Sequence, residues 1–292
     1  MKNLRGNKLP KVRVPFSTKE YEDMIGIIAE EKLNTVCQSA DCPNIFNCFS
    51  RGTLTFMILG NICTRNCSYC NVKSGKPFPP DKNEPKRIAG VIERLKLDYV
   101  VITCVTRNDL ADGGAGVFVE TVKEIRKTNS GCKIELLISD LNGNWEALKT
   151  IVDANPTLIG HNVEIVRELF PKMRPQGNYE RSIELLKTLK KYDSNLITKS
   201  GIMIGLGETE KQIIRTMKDI RDTGCNIMTI GQYLSPSSNH ALVKKFYSME
   251  EFSFLKDAGE SLGFDCVESG PLVRSSFNAR ESYEKARIKN AG

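Results

Sequence analysis

Residues 35–77 read TVCQSADCPNIFNCFSRGTLTFMILGNICTRNCSYCNVKSGKP and hold six of the chain's ten cysteines. The thiols fall into two triplets, Cys37/Cys42/Cys48 and Cys63/Cys67/Cys70, on either side of the apolar run Thr53–Leu59. That run has the length and β-branched or aromatic content of a strand, so the second triplet sits in the loop that leaves it. A structural zinc site wants four closed ligands, usually as paired C-x2-C elements. Three thiols spaced C-x3-C-x2-C in one loop, with no histidine among them, fit that poorly. Iron–sulfur clusters are held by cysteine thiolates, ordinarily four per cluster. Three thiolates on a [4Fe–4S] cube leave one iron without a protein ligand, which is what an open catalytic cluster needs.

Downstream, short β-rich runs alternate with longer amphipathic ones. The pattern predicts strands at Thr53–Leu59, Tyr99–Thr103, Lys133–Ile138, Thr157–Gly160, Ile197–Ile204 and Ile227–Ile230. Between them it predicts helices at Glu84–Leu95, Gly116–Lys127, Trp145–Ala154, Tyr179–Tyr192 and Glu208–Asp222. Ile183, Leu186 and Leu189 illustrate the helical apolar spacing. Strand-helix alternation implies parallel strands joined by helical crossovers. The expected fold is therefore α/β, a partial (β/α)6 TIM-type barrel, with chemistry at the C-terminal ends of its strands. The 292 residues divide into an N-terminal extension over 1–50, the barrel over 51–247 and a C-terminal extension over 248–292.

The C-x3-C-x2-C spacing, with the aromatic Tyr69 just before Cys70, resembles the signature of the radical S-adenosylmethionine (SAM) superfamily, whose barrels the predicted fold matches. The upstream triplet is more ambiguous on its own. A separate zinc site and reduced thiols packed in the core are both open readings, since free cysteine is often buried as a small hydrophobe. Pro43 and Asn44 suggest a turn that would let the chain wrap a compact group.

The remaining motifs narrow the resemblance. The quoted stretch, followed in order by YVVITCVTRNDLADGGAGVF, HNVEIV, MRPQGNYERS, TKSGIMIGLGET, IMTIGQYLSPSSNHALV and SGPLVRSSFNARE, resembles the lipoyl synthase family from residue 35 to about 283. This resemblance implies two [4Fe–4S] clusters and SAM. Cys63, Cys67 and Cys70 would hold the SAM-cleaving cluster. Cys37, Cys42 and Cys48 would hold an auxiliary cluster, with Ser276 as its fourth ligand and Ser275 as the alternative. It also implies that a 5′-deoxyadenosyl radical abstracts hydrogen from C6 and then C8 of an octanoyl chain on a carrier-domain lysine. Each carbon radical would take sulfide from the auxiliary cluster, so two SAM molecules give one lipoyl group. A serine oxygen is hard beside soft sulfurs, which suits a cluster that is dismantled in use.

Other residues are placed by the same resemblance. Gly113 and Gly114 in DLADGGAG, with Asn108, would contact SAM, although DLADGGAG also reads as an ordinary helix-start turn. Asn108, His161, Arg174 and Gln232 would line the barrel mouth or pack behind it. Cys104, Cys132, Cys225 and Cys266 are expected as packing thiols. The chain departs from the family's usual RSSY at Phe277 and from its usual RDDL at Asn108, and Cys104 replaces a common serine.

Composition limits the partners. The net charge is +7, with Lys2, Arg5, Lys8, Lys11 and Arg13 in the first segment. That segment could meet nucleic acid or an acidic protein; with no aromatic residues interleaved it reads better as a solvated tail. Residues 1–20 lack an apolar core of the secretory kind, and no apolar run reaches the roughly 20 residues that span a bilayer. A cytoplasmic monomer is expected, and the family resemblance implies octanoylated lipoyl-carrier domains as substrates: those of 2-oxoacid dehydrogenase E2 and the glycine-cleavage H protein. Reduced ferredoxin or flavodoxin and iron–sulfur assembly or carrier proteins are the other expected partners. Two alternatives remain: a radical SAM relative acting on a free acyl chain or a tRNA base, and a two-cluster electron-transfer protein. The first would bring an RNA-binding domain in its tRNA form; the second leaves the barrel unexplained.

Overall fold

The computed structural model describes residues 19–49 and 54–290. The basic residues of the first segment and Thr53 lie outside the described residues. Three helices open the chain: α1 (Lys19–Glu30), α2 (Val36–Ser39) and α3 (Ile45–Phe49). The rest alternates as β1 (Thr55–Ile58), α4 (Glu84–Arg94), β2 (Tyr99–Cys104), α5 (Ala115–Thr128), β3 (Lys133–Leu137), α6 (Trp145–Asp153) and β4 (Leu158–Gly160). It continues with α7 (Phe170–Met173), α8 (Tyr179–Tyr192), β5 (Ile197–Ile204), α9 (Glu210–Arg221), β6 (Ile227–Gln232), α10 (Met249–Ser261), β7 (Cys266–Gly270) and α11 (Ala279–Asn290).

The strands form one sheet in the order β1 to β7, and every neighbouring pair is parallel. The six expected strands are all present, so the partial barrel read from the sequence stands. It is one strand longer than expected, because β7 lies in the segment read as a C-terminal extension. The reason is chemical. Its five residues, Cys-Val-Glu-Ser-Gly, include two polar side chains and a glycine, too weak a pattern to signal a strand alone. Pairing from Ile227–Cys266 to Gly231–Gly270 supplies what the local sequence lacks.

Helices pack on the outside through faces such as Ile88, Val91 and Ile92 of α4 and Ile213, Met217 and Ile220 of α9, all buried. Reciprocal capping boxes start α9 at Thr209–Gln212 and α10 at Ser248–Glu251. The barrel's lower end is closed. Ala286 of α11 joins a buried cluster with Leu158, Ile197, Ile227 and Cys266, which stand at or near the starts of β4 to β7. Just inside, Lys199 pairs with Glu135 at 2.9 Å, both 2% exposed, and Tyr99 donates to the same carboxylate at 2.6 Å. Removing one partner of such a pair costs about 3–5 kcal/mol. With the floor sealed, the C-terminal mouth remains for chemistry.

Candidate active site

The second triplet hangs over that mouth. Cys63 pairs with Ser74 across the loop, its amide donating to Lys73 O at 2.8 Å while Gly75 N donates to Cys63 O at 2.9 Å. Three neighbouring loops grip it from above the strands. Thr64 N donates to Thr106 O, after β2, at 3.0 Å; Ser68 N donates to Met173 O of α7 at 2.9 Å; Ala241 N, after β6, donates to Ser68 O at 2.8 Å. Cys63, Cys67 and Cys70 share one neighbourhood: burial first, then the Cys67 thiol, the Glu164 charge and the Cys63 thiol, push the Cys70 thiol up to about 12. Burial likewise raises Cys67. Tyr69 beside them is raised well above the usual phenol range by burial and then by the Glu164 charge.

The first triplet is fixed to the edge of β1. Thr35 bridges Phe56, and Met57 N donates to Asn34 O at 2.8 Å. Cys37 ends up buried within α2, Cys42 in the turn and Cys48 in α3. Burial, with smaller contributions from the Cys42 and Cys48 thiols, pushes Cys37 up to about 12. Asn71, directly after Cys70, joins the two triplets. Its amide donates to Asp41 Oδ2 at 2.8 Å and to Ser39 O at 3.3 Å.

The loop carrying Ser275 and Ser276 arrives from the C-terminal end of β7 and lies on the first triplet. Asn44 donates to Leu272 O at 2.7 Å across 228 residues of sequence. Burial lowers the Arg274 guanidinium while the Cys42 thiol acts the other way, so these two groups are neighbours. The loop sits flush on β6, since a Cβ at Gly231 would come within 2.2 Å of Val273 O. Asn162, after β4, donates to Ser275 Oγ at 2.7 Å. Ser276 makes no side-chain hydrogen bond among the described residues. The expected fourth-ligand pair is thus divided: one hydroxyl is engaged by protein and the other is not.

The other expected residues separate into two groups. Gly113 and Gly114 are both left-handed, at φ 62° and 93°. Gly114 caps α5, where its left-handed φ favours glycine and a Cβ would meet Leu59 Cδ1 at 2.3 Å, so its identity is explained without a ligand. Asn108 lies at the mouth, its backbone N–H donating to Thr64 Oγ1 at 3.0 Å and its side-chain Oδ1 accepting from Arg65 at 3.3 Å. Arg174 is buried with Glu164, Tyr69 and Cys67 as its electrostatic neighbours. His161 and Gln232 are packing groups. His161 is bound by Ile138 O at 2.9 Å and Ser182 Oγ at 3.0 Å, and burial, then Arg174, lowers it to about 4. Gln232 donates to Ile204 O, Tyr233 O and Lys245 O and accepts from Tyr247 N.

Cys132, Cys225 and Cys266 are buried thiols pointed at local acceptors, as expected. Cys104 is half-buried, and its thiol senses Cys63 and Arg65. The sequence reading missed Arg65, Asp140, Asn162 and Glu164. All but Arg65 follow strand ends, the one signal that could have marked them.

Residues 57–220 match the family model described as Radical SAM superfamily. The lipoyl synthase of Caldanaerobacter subterraneus subsp. tengcongensis is 49% identical over 276 residues, covering 94% of this chain and 97% of that protein. The lipoyl synthase of Rubrobacter xylanophilus is 47% identical, covering 95% of this chain and 86% of its own. This chain belongs to the lipoyl synthase family. Among solved structures, HydG, a maturase of the [FeFe]-hydrogenase, matches with TM-score 0.60 at 15% identity over 91% of this chain and 67% of its own. Methylornithine synthase (PylB) matches with TM-score 0.55 at 15% identity over 73% of this chain and 70% of its own. At those identities the likeness concerns the fold.

Lipoyl synthase membership makes this chain a radical SAM sulfurtransferase, with [4Fe–4S] clusters and SAM as cofactors. The donor sets fit such clusters. All ten cysteines are free of disulfides, and the six in question supply sulfur only. No three His, Cys, Asp or Glu side chains among the described residues converge on one metal ion. Thiolates around a multi-iron cube stand farther apart than the ligands of a single zinc. Thiols held protonated by burial are discharged when iron replaces their protons.

Proposed function

We propose that this chain inserts two sulfur atoms, at C6 and C8, into an N6-octanoyl-lysine of a lipoyl-carrier protein, using sulfide from its own auxiliary cluster. One observation carries the reading: two cysteine triplets joined through Asn71, with a serine-bearing loop lying on the first. Cys63, Cys67 and Cys70 hold the SAM-cleaving cluster. Cys37, Cys42, Cys48 and Ser276 hold the auxiliary one. The first cluster would supply the electron for reductive cleavage of SAM, and the second would supply sulfide.

The protein's own part is positioning and exclusion of water. Asn71 fixes the separation of the triplets, so an acyl chain between them reaches the radical source and the sulfur source in one pose. Asn108, Gly113 and Gly114 would contact SAM. Tyr69, Glu164 and Arg174 form a polar wall beside Cys67. No residue need act as a general acid or base, in keeping with His161 being locked between two hydrogen-bond partners.

Residues 1–50 act as the auxiliary-cluster arm and 51–247 carry the first six strands of the barrel, while the C-terminal extension 248–292 adds β7 and α11 and bears Ser276. No helix among the described residues is long and apolar enough to cross a membrane. A cytoplasmic monomer serving the E2 and H-protein carriers, reduced by ferredoxin or flavodoxin and refilled by iron–sulfur carriers, fits this reading. The test is anaerobic reconstitution with iron counting, then mass spectrometry of an octanoyl-lysyl peptide after reaction with SAM and dithionite. About eight irons per chain are expected from two cubes, with a product carrying two added sulfurs. Four irons, or reductive SAM cleavage without sulfur insertion, would contradict it.

Ser276→Ala is expected to leave SAM cleavage at the wild-type rate while product yield falls about 10- to 100-fold, the usual cost of a disturbed metal environment. The comparator is Ser275→Ala, whose hydroxyl is already engaged by Asn162. The greater loss appearing in Ser275→Ala instead would reverse the ligand assignment.

A further inference from the structure

Arg65 stands between Cys63 and Cys67, and the chemistry above makes no use of it. Its side chain is 1% exposed. Nη2 donates to Asp140 Oδ1 at 2.6 Å and Nη1 to Asp140 Oδ2 at 3.0 Å, while Nη2 also donates to Asn108 Oδ1 at 3.3 Å. The remaining donor, Nε–H, is buried and has no acceptor among the described residues. A buried donor left unpaired costs about 1–3 kcal/mol, so its retention beside a set of sulfurs calls for an acceptor that arrives later. The residue lies beside one of those sulfurs, its main-chain amide donating to Cys63 Sγ at 3.4 Å, and the Cys104 thiol has both Cys63 and the Arg65 side chain as electrostatic neighbours.

Charge points the same way. Asp140 is fully buried and faces a second guanidinium, Arg181, at 3.5 Å. One carboxylate cannot cancel two cations, and Asn108, where the family usually carries an aspartate, accepts from Arg65 without adding a negative charge. The group is left with a surplus positive charge, screened little by water at the buried Arg65 and Asp140 and partly at Arg181, whose side chain is 29% exposed.

We infer that Arg65, with its surplus charge and spare Nε–H, sets the reduction potential of the cluster held by Cys63, Cys67 and Cys70. Reduction adds one electron and makes the cube more negative. A neighbouring cation and a hydrogen bond to sulfur both favour that state. The electron comes from the one-electron donor, which is oxidised; no proton or leaving group moves in this step. The role rests on the assignment of that triplet to the SAM-cleaving cluster.

The test is a mediated dithionite titration of the reconstituted full-length protein, followed by electron paramagnetic resonance, with iron counted in each variant. At the wild-type midpoint, the ratio of reduced to oxidised cluster in Arg65→Gln should fall about tenfold, or ~59 mV for a one-electron couple. Arg65→Lys keeps the charge but loses the fork and should fall less. Arg181→Gln, at a side chain 29% exposed, should move in the same direction by a smaller amount. A wild-type midpoint in Arg65→Gln with full iron overturns the inference. Should Arg65→Gln fail to take up the cluster, Arg181→Gln decides, and an unchanged midpoint there overturns it equally. If Cys63→Ala still shows a SAM-responsive signal, the triplet assignment has failed instead.

Discussion

Cys63→Ala is expected to reduce formation of 5′-deoxyadenosine from SAM to the level of a protein-free control, with sulfur insertion lost along with it. Cys63 is the thiol most firmly built into its loop, since its own amide and carbonyl close the turn to Lys73 and Gly75. The substitution leaves those backbone bonds intact and removes only a ligand. A cube with two protein thiolates has two open corners, and the remaining pair cannot present a single vacant iron to SAM. Cys67→Ala and Cys70→Ala should behave alike, because burial and mutual proximity treat the three thiols as one set. Quantifying 5′-deoxyadenosine and methionine under dithionite checks this. Turnover within about tenfold of wild type, a barrier change of only ~1.4 kcal/mol, would mean that this triplet does not hold the cleaving cluster.

Cys42→Ala should split the two halves of the reaction. SAM cleavage is expected to persist, while thioether and lipoyl products fall below detection. Cys42 occupies the turn between α2 and α3, and its thiol has Arg274 as an electrostatic neighbour. Its triplet is tied to the barrel loop by the bonds from Asn71 to Asp41 and Ser39. Alanine keeps the turn's backbone bonds, Cys42 N to Cys37 O at 3.0 Å and Ile45 N to Cys42 O at 3.1 Å. The barrel triplet should therefore load normally. Iron content should fall by about half, since one cube of two is lost. Product formed at wild-type yield would show that sulfur comes from elsewhere.

Much of this was legible in the sequence because it is local. Strand β5, Ile197–Ile204, and helix α8, Tyr179–Tyr192, have the boundaries their apolar periodicity predicts. The cysteine triplets announce themselves by spacing. What escaped is what the fold brings together from afar. Asn44 and Leu272 meet across 228 residues, and Arg65 and Asp140 across 75; no pattern within either segment signals its partner. Gln232 and His161, read as either lining the mouth or packing behind it, take the second course. Both sit at strand ends like site residues, yet their side chains are consumed by backbone acceptors and packing. Strand β7 was hidden by its polar residues, and with it the reason the Ser276 loop reaches the mouth. A short strand with weak propensity forms because the neighbouring edge is already there to pair with it.

The central claim, that one cluster fires the reaction and the other is dismantled for its sulfur, is tested most directly by isotope. The protein is reconstituted with heavy-isotope sulfide, desalted and given one round of octanoyl-lysyl peptide, SAM and reductant in medium of natural sulfur. The account predicts a product whose two inserted sulfurs are both heavy, with one cube lost from the protein and the other retained. A product bearing natural sulfur, or one formed while both cubes survive intact, would contradict it.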